Sequence, residues 1–171
     1  MTDDKFQQLV QNHPNLFQKC GDIEFSVEDG WFTILDTLCG LITHRHDNAL
    51  RRLKFALENP GSRMTEDFAV IEKSVQEEFD KLPKLTQVKE KFGSLRFYYD
   101  GGTDEVQNFV TFAESLTYHT CEVCGSPGEA RNDGWVKVLC DKHYKEREEK
   151  YAAGRTYLKS SFDKTKLSDE I

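Results

Sequence analysis

Four residues near the C-terminus have the types and the spacing of metal ligands. Cys121 and Cys124 form a Cys-x2-Cys pair, and Cys140 and His143 form a Cys-x2-His pair after fifteen intervening residues. Two such half-sites close together are typical of tetrahedral zinc sites, in which each pair approaches the ion from one tight turn. The pattern predicts one structural zinc ion per chain, because four protein ligands leave no coordination position for a catalytic water.

The residues around the four ligands predict a treble-clef-like zinc module. Gly125 follows the first pair, where a tight turn favours a left-handed backbone conformation. Turn-forming residues and the strand-like segment 135–138 predict a β-hairpin between the pairs. Cys140 and His143 are three residues apart, so they share one side of the first turn of a following helix.

Thiol chemistry is the other use of a Cys-x2-Cys pair. No strand–motif–helix unit of the thioredoxin kind surrounds Cys121, and the second ligand pair nearby favours a metal. The remaining cysteines, Cys20 and Cys39, are predicted to be small buried hydrophobic residues. A nucleophilic role for Cys20 is the alternative, and it is disfavoured because Lys19 is the only basic residue beside this cysteine.

Three histidines are further candidates for chemistry. His44, His46 and Asp47 could form a metal or acid–base cluster, but residues two apart on a helix point to different sides. We therefore predict that this segment is a solvated helix face. His119 lies two residues before Cys121 and is predicted to be a surface residue or a hydrogen-bonding neighbour of the metal site, since no nuclease-like set accompanies it.

A short basic strip with aromatic residues is the candidate for nucleic-acid binding. Residues 81–99 contain five Lys or Arg against one Asp or Glu. The residues of the strip are Lys84, Lys89, Lys91, Arg96, Phe97, Tyr98 and Tyr99. Aromatic rings beside cations can stack single-stranded bases. A strand with one solvated face is the alternative interpretation.

The hydrophobic periodicity predicts the elements that position these residues. Helical spacing predicts helices over 3–12, from 31 to 58, from Thr65 to 82, over 104–118 and over 142–153, with Gly154 ending the last. Alternation predicts a short strand or irregular segment at 20–28, and strands at 87–91 and 94–99 around a Phe92-Gly93 turn. The residues predicted to be largely buried are Trp31, Phe68, Phe79, Leu95, Phe97, Phe109 and Trp135.

Composition limits the functional classes. The 171 residues are 37% hydrophobic and 31% charged, with a net charge of −7. This charge disfavours generic nucleic-acid binding, and it is concentrated in residues 1–80, which hold 8 basic and 15 acidic residues. The sequence has neither a basic-then-apolar N-terminus nor an apolar run of about 18 residues, so we expect a cytoplasmic protein without membrane contact.

Three blocks of sequence carry a family resemblance. The first is Asp29-Gly-Trp-Phe with Ile34-Leu-Asp-Thr-Leu-Cys39. The second is Val88-Lys-Glu-Lys-Phe-Gly-Ser-Leu-Arg-Phe-Tyr-Tyr-Asp-Gly-Gly102. The third is Cys121-Glu-Val-Cys-Gly-Ser-Pro-Gly128 with Gly134-Trp and Leu139-Cys-Asp-Lys-His143. Together they resemble a family of small, uncharacterised zinc-finger-like proteins of tailed phages and prophages. The resemblance implies a virus-encoded accessory protein that acts inside a bacterial cell, and it implies no activity.

The sequence as a whole predicts an α+β fold. N-terminal helices should pack on a small antiparallel sheet in residues 1–119, a zinc module should pack on them in residues 120–154, and residues 155–171 should form a polar tail. The function expected is that of a non-enzymatic interaction protein, without catalytic residues, that binds and modulates a host or phage protein. A nucleic-acid-binding accessory protein that uses residues 84–99 and the zinc module is the alternative, and a hydrolase is a third.

Overall fold

The fold is α+β, with six helices and five short strands in the part of the chain described by the computed structural model. That part comprises residues 1–60 and 67–165, with side chains to residue 153. The elements are α1 (Asp3–Asn12), α2 (Pro14–Gln18), β1 (Glu24–Ser26), a 3-10 turn (Asp29–Trp31), α3 (Phe32–Glu58), α4 (Phe68–Asp80), β2 (Lys84–Lys91), β3 (Ser94–Asp100), α5 (Asp104–Thr117), β4 (Glu129–Arg131), β5 (Lys137–Leu139) and α6 (Asp141–Thr165). No helix among these residues is long and apolar enough to cross a membrane.

The larger sheet has the order β1–β2–β3 and is mixed. Strands β2 and β3 form the predicted antiparallel hairpin, and Phe92 and Gly93 turn it with positive φ values of 55° and 77°. Strand β1 pairs with β2 in parallel, so the expected purely antiparallel sheet is wrong in this respect. A parallel pair needs a long crossover, and α3 and α4 supply it here.

The core lies between α3, α5 and one face of this sheet. Leu35 and Leu38 of α3 meet Val88, Leu95 and Phe97 of the strands, and all five are buried. The period-two pattern on β3 is confirmed, because Leu95 and Phe97 point inward. Phe97 therefore does not belong to the exposed part of the basic strip that we predicted.

The predicted core aromatics have mixed outcomes. Trp31 is fully buried as predicted, whereas Phe79 and Phe109 are partly buried against the core. The predictions for Phe68 and Trp135 are wrong, since these side chains are 38% and 63% exposed. Phe68 is the first residue of α4, which buries Ile71 instead. Trp135 lies in the loop before β5, outside the pairing of the hairpin.

The ends of two helices also differ from the prediction. The predicted start of this helix, Thr65, lies outside the described residues, and α4 begins after Asp67, whose carboxylate accepts a hydrogen bond from the Ala69 amide. Helix α6 continues through Gly154 to Thr165. A glycine inside a helix costs only about 1 kcal/mol relative to alanine, so it does not by itself end a helix.

Candidate metal centre

The four predicted ligands converge at one point. Their donor atoms all lie within 4.8 Å of one another. The Nδ1 atom of His143 is 3.4 Å from the sulfur of Cys121 and 3.3 Å from that of Cys140, and the sulfurs of Cys124 and Cys140 are 3.8 Å apart. A tetrahedral ion with bond lengths typical of zinc would separate two sulfurs by roughly 3.8 Å and a sulfur and a nitrogen by roughly 3.5 Å. The donor set therefore fits a tetrahedral structural metal site.

The first pair of ligands is held by a tight turn after α5. The Gly125 amide donates to the Cys121 carbonyl at 2.8 Å, and the Cys121 amide donates to the Ser126 carbonyl at 2.8 Å. Gly125 has a φ of 78°, as the sequence predicted. We call this segment, residues 121–125, the knuckle. These backbone bonds hold both cysteines in one tight turn.

The second pair is held by β5 and α6. Strands β4 and β5 form the predicted antiparallel hairpin, with Glu129 opposite Leu139. Cys140 follows β5 directly, and His143 lies on the first turn of α6, where the Tyr144 amide donates to the Cys140 carbonyl. The hairpin thus carries the chain from one pair back to the other.

The thiols have different environments. Hydrogen bonds from Ser126, first from its side chain and then from its amide, lower the pKa of Cys124 to about 6. Burial raises the pKa of Cys121. The thiolate is the form of cysteine that binds a metal. Cys124 is therefore the thiol of this pair that is readier to bind one.

The knuckle packs directly on the turn that precedes α3. The Gly30 amide donates to the Glu122 carbonyl at 2.8 Å, and the indole of buried Trp31 donates to the Thr120 carbonyl at 3.0 Å. A Cβ atom on Gly30 would lie 2.6 Å from the Cys124 nitrogen and 2.5 Å from the Gly125 nitrogen. Only glycine allows this approach. This role of Gly30 was not predicted from the sequence, although the Asp29-Gly-Trp motif was the available signal.

An ion-pair triad lies behind the knuckle. The Lys137 ammonium donates to Glu122 at 2.5 Å and to Glu28 at 3.0 Å. Glu122 is 1% exposed, and its second oxygen has no hydrogen-bond partner among the described residues. Burial raises the pKa of Glu122, and Lys137 opposes that shift. This triad was not predicted, because nothing in the local sequence distinguishes Glu122 from a surface glutamate.

The histidine segment of α3 is not a uniformly solvated face, which corrects our prediction. His46 is buried, its ring centroid lies 5.5 Å from that of Phe79, and its Nδ1 has no hydrogen-bond partner within the described chain. Helix α4 covers this side of α3, which the periodicity of α3 alone does not reveal. His44 is exposed and bonds to Asn48, as the helical spacing predicted. The histidines therefore do not converge on one site.

The other candidate residues lie apart from the four ligands. The His119 side chain is exposed and is not in the ligand cluster. Cys39 is fully buried, as predicted, and burial raises the pKa of its thiol. Cys20 is half-buried, and its thiol contacts the Leu16 carbonyl at 3.2 Å. Burial also raises the pKa of Cys20, which disfavours the nucleophilic alternative.

A groove of about 460 Å³ opens beside the metal centre, and we call it the metal-side groove. Trp135 forms one wall, and its indole donates to the Glu90 carboxylate at 2.9 Å. Arg147 of α6 donates to the Trp135 carbonyl at 2.7 Å, and its guanidinium lies 5.3 Å from the Tyr151 ring centroid. Lys150 and the metal ligand His143 also line the groove. Glu28 and Glu146 line it too, and Arg147 is 3.4 Å from Asp133, so the metal module carries an aromatic surface of mixed charge.

Comparison with known proteins gives no relatives. No protein-family model matches the chain, and neither a curated protein nor a solved structure matches it. Function must therefore be argued from the geometry of this chain.

Proposed function

We propose that the protein is a non-enzymatic, zinc-stabilised interaction protein that binds another protein through the metal-side groove. The observation that carries the proposal is the exposed Trp135, which is held in place from both sides by Glu90 and Arg147. Trp, Tyr and Arg are the residue types most enriched among binding hot spots. Trp135, Arg147 and Tyr151 bring all three types to one groove.

Zinc is the metal that we propose for the centre. Three thiolates and one imidazole in a tetrahedral arrangement are the usual ligands of structural zinc. The knuckle, the β4–β5 hairpin and the ligand pair at the start of α6 support a treble-clef-like description. The ion would stabilise the wall of the groove, because α6 supplies both His143 and the groove residue Arg147.

The proposed partner is a host or phage protein in the bacterial cytoplasm, in line with the resemblance noted above. It would place an apolar or aromatic side chain against Trp135 and a carboxylate near Arg147 and Lys150. Charge complementarity of this kind fixes orientation and accelerates association more than it adds affinity. Modulation of that partner would result from covering its surface, without a reaction.

Affinity purification from bacterial cell lysates, with and without nuclease treatment, tests the proposal. The tagged wild-type protein should retain a partner that the Trp135→Ala variant loses. The control is Phe112→Ala, which removes an exposed aromatic side chain of α5 and should retain the partner. With the purified partner, Trp135→Ala should raise the Kd about ten-fold or more. Equal retention by all three proteins, or retention that nuclease treatment abolishes, would contradict the proposal.

A further inference from the structure

The outer face of the larger sheet carries a cluster of cations. Lys89 pairs with Arg96 and Gln87 with Tyr98 across β2 and β3, so these four side chains lie on the face opposite to Val88 and Phe97. Lys91 continues the row at the end of β2. We call the face formed by Gln87, Lys89, Lys91, Arg96 and Tyr98 the basic face.

The charge of this face is opposite to that of the whole chain. Two carboxylates lie at outward positions of the three described strands. Glu24 is hydrogen-bonded to Gln87, and Asp100 lies opposite Lys84 at the far end of the hairpin. Arg96 lies 4.0 Å from Glu114 of α5, whereas Lys89 and Lys91 form no ion pair with another described residue. The net charge of −7 arises mainly in residues 1–80. A polyanion that approaches the basic face therefore meets a local positive field.

Aromatic rings stand beside these cations. Tyr98 is 42% exposed, and the Lys89 ammonium lies 5.4 Å from its ring centroid. Phe92 at the hairpin turn is 67% exposed, and the Lys91 ammonium lies 5.5 Å from its ring centroid. An exposed phenylalanine at the tip of a hairpin has no role in the core. Each ring thus offers a flat apolar surface with a cation at its side.

The free edge of the sheet is closed to another strand. The Leu95 amide of edge strand β3 donates to Thr117 of α5 at 3.0 Å, and the Phe97 amide donates to Glu114 at 3.1 Å. These two donors cannot pair with an added β-strand without breaking those bonds. Recognition at β3 must therefore use side chains on the face and not the backbone.

We propose that the basic face binds single-stranded nucleic acid with little sequence preference. Lys89, Lys91 and Arg96 would contact phosphates, and Tyr98 and Phe92 would stack on bases. Stacking is open to every base, which is why such surfaces tolerate different sequences. A duplex hides its bases, so it could use the cations but not the rings. An acidic peptide could likewise use the cations, but it has no bases to stack on the rings.

The basic face is a separate surface from the metal-side groove. None of the residues that line the groove belongs to the basic face. The inference therefore does not depend on the proposed protein partner. Trp135→Ala should leave nucleic-acid binding within two-fold of wild type, and loss of protein binding in that variant says nothing against the basic face.

Fluorescence anisotropy with three labelled probes tests the inference. The probes are a 20-nucleotide oligo-dT, a 20-base-pair DNA duplex and a poly-glutamate peptide of similar charge, each titrated with the full zinc-loaded chain between 20 and 200 mM salt. Oligo-dT should bind most tightly, with an affinity that falls steeply as salt rises. Absence of oligo-dT binding at 20 mM salt would overturn the inference. Equal binding of poly-glutamate would do the same, since it indicates an unspecific polyanion surface.

Two matched pairs of variants locate the binding. Tyr98→Ala should weaken oligo-dT binding about five-fold or more, whereas Phe112→Ala should not. The double change Lys89→Gln with Lys91→Gln should reduce the salt slope by about 1.4, whereas Lys54→Gln with Lys73→Gln, on exposed lysines of α3 and α4, should leave the slope unchanged. If each variant of the basic face and its control change oligo-dT binding equally, in both pairs, the inference is overturned. If Tyr98→Ala does not fold, the salt slopes of the two lysine double variants alone decide whether the basic face binds oligo-dT.

Discussion

Gly30 and Glu122 are joined by a backbone hydrogen bond of 2.8 Å that connects the turn before α3 to the knuckle of the metal centre. The two residues are 92 positions apart, and the approach is so close that a side chain on Gly30 would collide with the backbone of the knuckle. The metal module is therefore packed against the N-terminal part. Metal binding and the packing of the N-terminal part should be energetically coupled through this contact.

Gly30→Ala should destabilise the whole protein. The added methyl group would lie 2.6 Å from the Cys124 nitrogen, and rigid backbone atoms leave little room for adjustment. We expect a loss of about 2–3 kcal/mol or more in the free energy of unfolding, measured by urea denaturation of the zinc-loaded protein. The control is Gly21→Ala, which adds a methyl group where no atom lies within 4 Å. Equal stability of the two variants would mean that the knuckle does not pack on this turn.

Metal removal should unfold the C-terminal module. Wild type should contain one zinc ion per chain by elemental analysis, and Cys124→Ser should contain none. Because binding is coupled to folding in such modules, residues 121–150 should become sensitive to protease in the variant and in chelator-treated wild type. Cys20→Ser removes a cysteine outside the cluster and should keep its zinc. A metal-free wild type with unchanged protease resistance would refute the metal centre.

The elements near the ligands could be predicted because their signals are local. The spacing of Cys121 and Cys124 determines a turn, and the alternation of Leu95, Arg96 and Phe97 determines which face of β3 is buried. The features that were missed depend on contacts between distant segments. Parallel pairing of β1 requires α3 and α4 to return the chain, and the close approach at Gly30 requires a partner 92 residues away.

The burial or exposure of individual side chains was the least predictable property. Glu122 is buried because Lys137 arrives from β5 and Glu28 from the segment before the 3-10 turn. Trp135 is exposed although tryptophan usually favours burial, since its position before β5 directs it into the groove. Neither result follows from the residue type or from the periodicity of one element.

Lys137→Met should reveal the cost of leaving Glu122 alone. The carboxylate would remain buried without a cation, and removal of one member of a buried pair typically costs about 3–5 kcal/mol. A second change, Glu122→Leu, should recover most of that loss, because the pair is then replaced by apolar groups. Lys54→Met on exposed α3 should have almost no effect. Urea denaturation of wild type, Lys137→Met, Glu122→Leu and the double variant measures the coupling, with Lys54→Met as the control, and additive effects of the two changes would contradict it.

Phe97→Ala should be among the most damaging single truncations in the sheet. Phe97 is almost fully buried between the sheet and α5, and truncation of a core aromatic costs about 3–5 kcal/mol. Phe79 and Phe109 are only partly buried, so the same change there should cost less. Phe112→Ala, at an exposed position, should stay within about 0.5 kcal/mol of wild type. Thermal unfolding ranks the four variants, and a smaller loss at Phe97 than at Phe79 would contradict the described core.

His46→Leu distinguishes a structural from a chemical role for the one buried histidine of α3. The Nδ1 atom of His46 is 3.7 Å from the Asp47 carboxylate, which is too long for a hydrogen bond, and a buried polar atom without a hydrogen bond costs about 1–3 kcal/mol. Leucine fills a similar volume against Phe79 without that cost, so the variant should be as stable as wild type or more stable. His44→Leu, on the exposed side of the same turn, is the matched control.

The same pair of variants tests the proposed absence of a reaction. Both should keep their zinc, and both should bind the protein partner and oligo-dT within a few-fold of wild type, because neither histidine lies in the metal-side groove or on the basic face. Suppose instead that His46→Leu melts normally and yet loses biological activity. The non-enzymatic proposal would then be wrong, and a catalytic site would have to be sought in the cavity of about 390 Å³ that His46 lines together with Arg45 and Glu105.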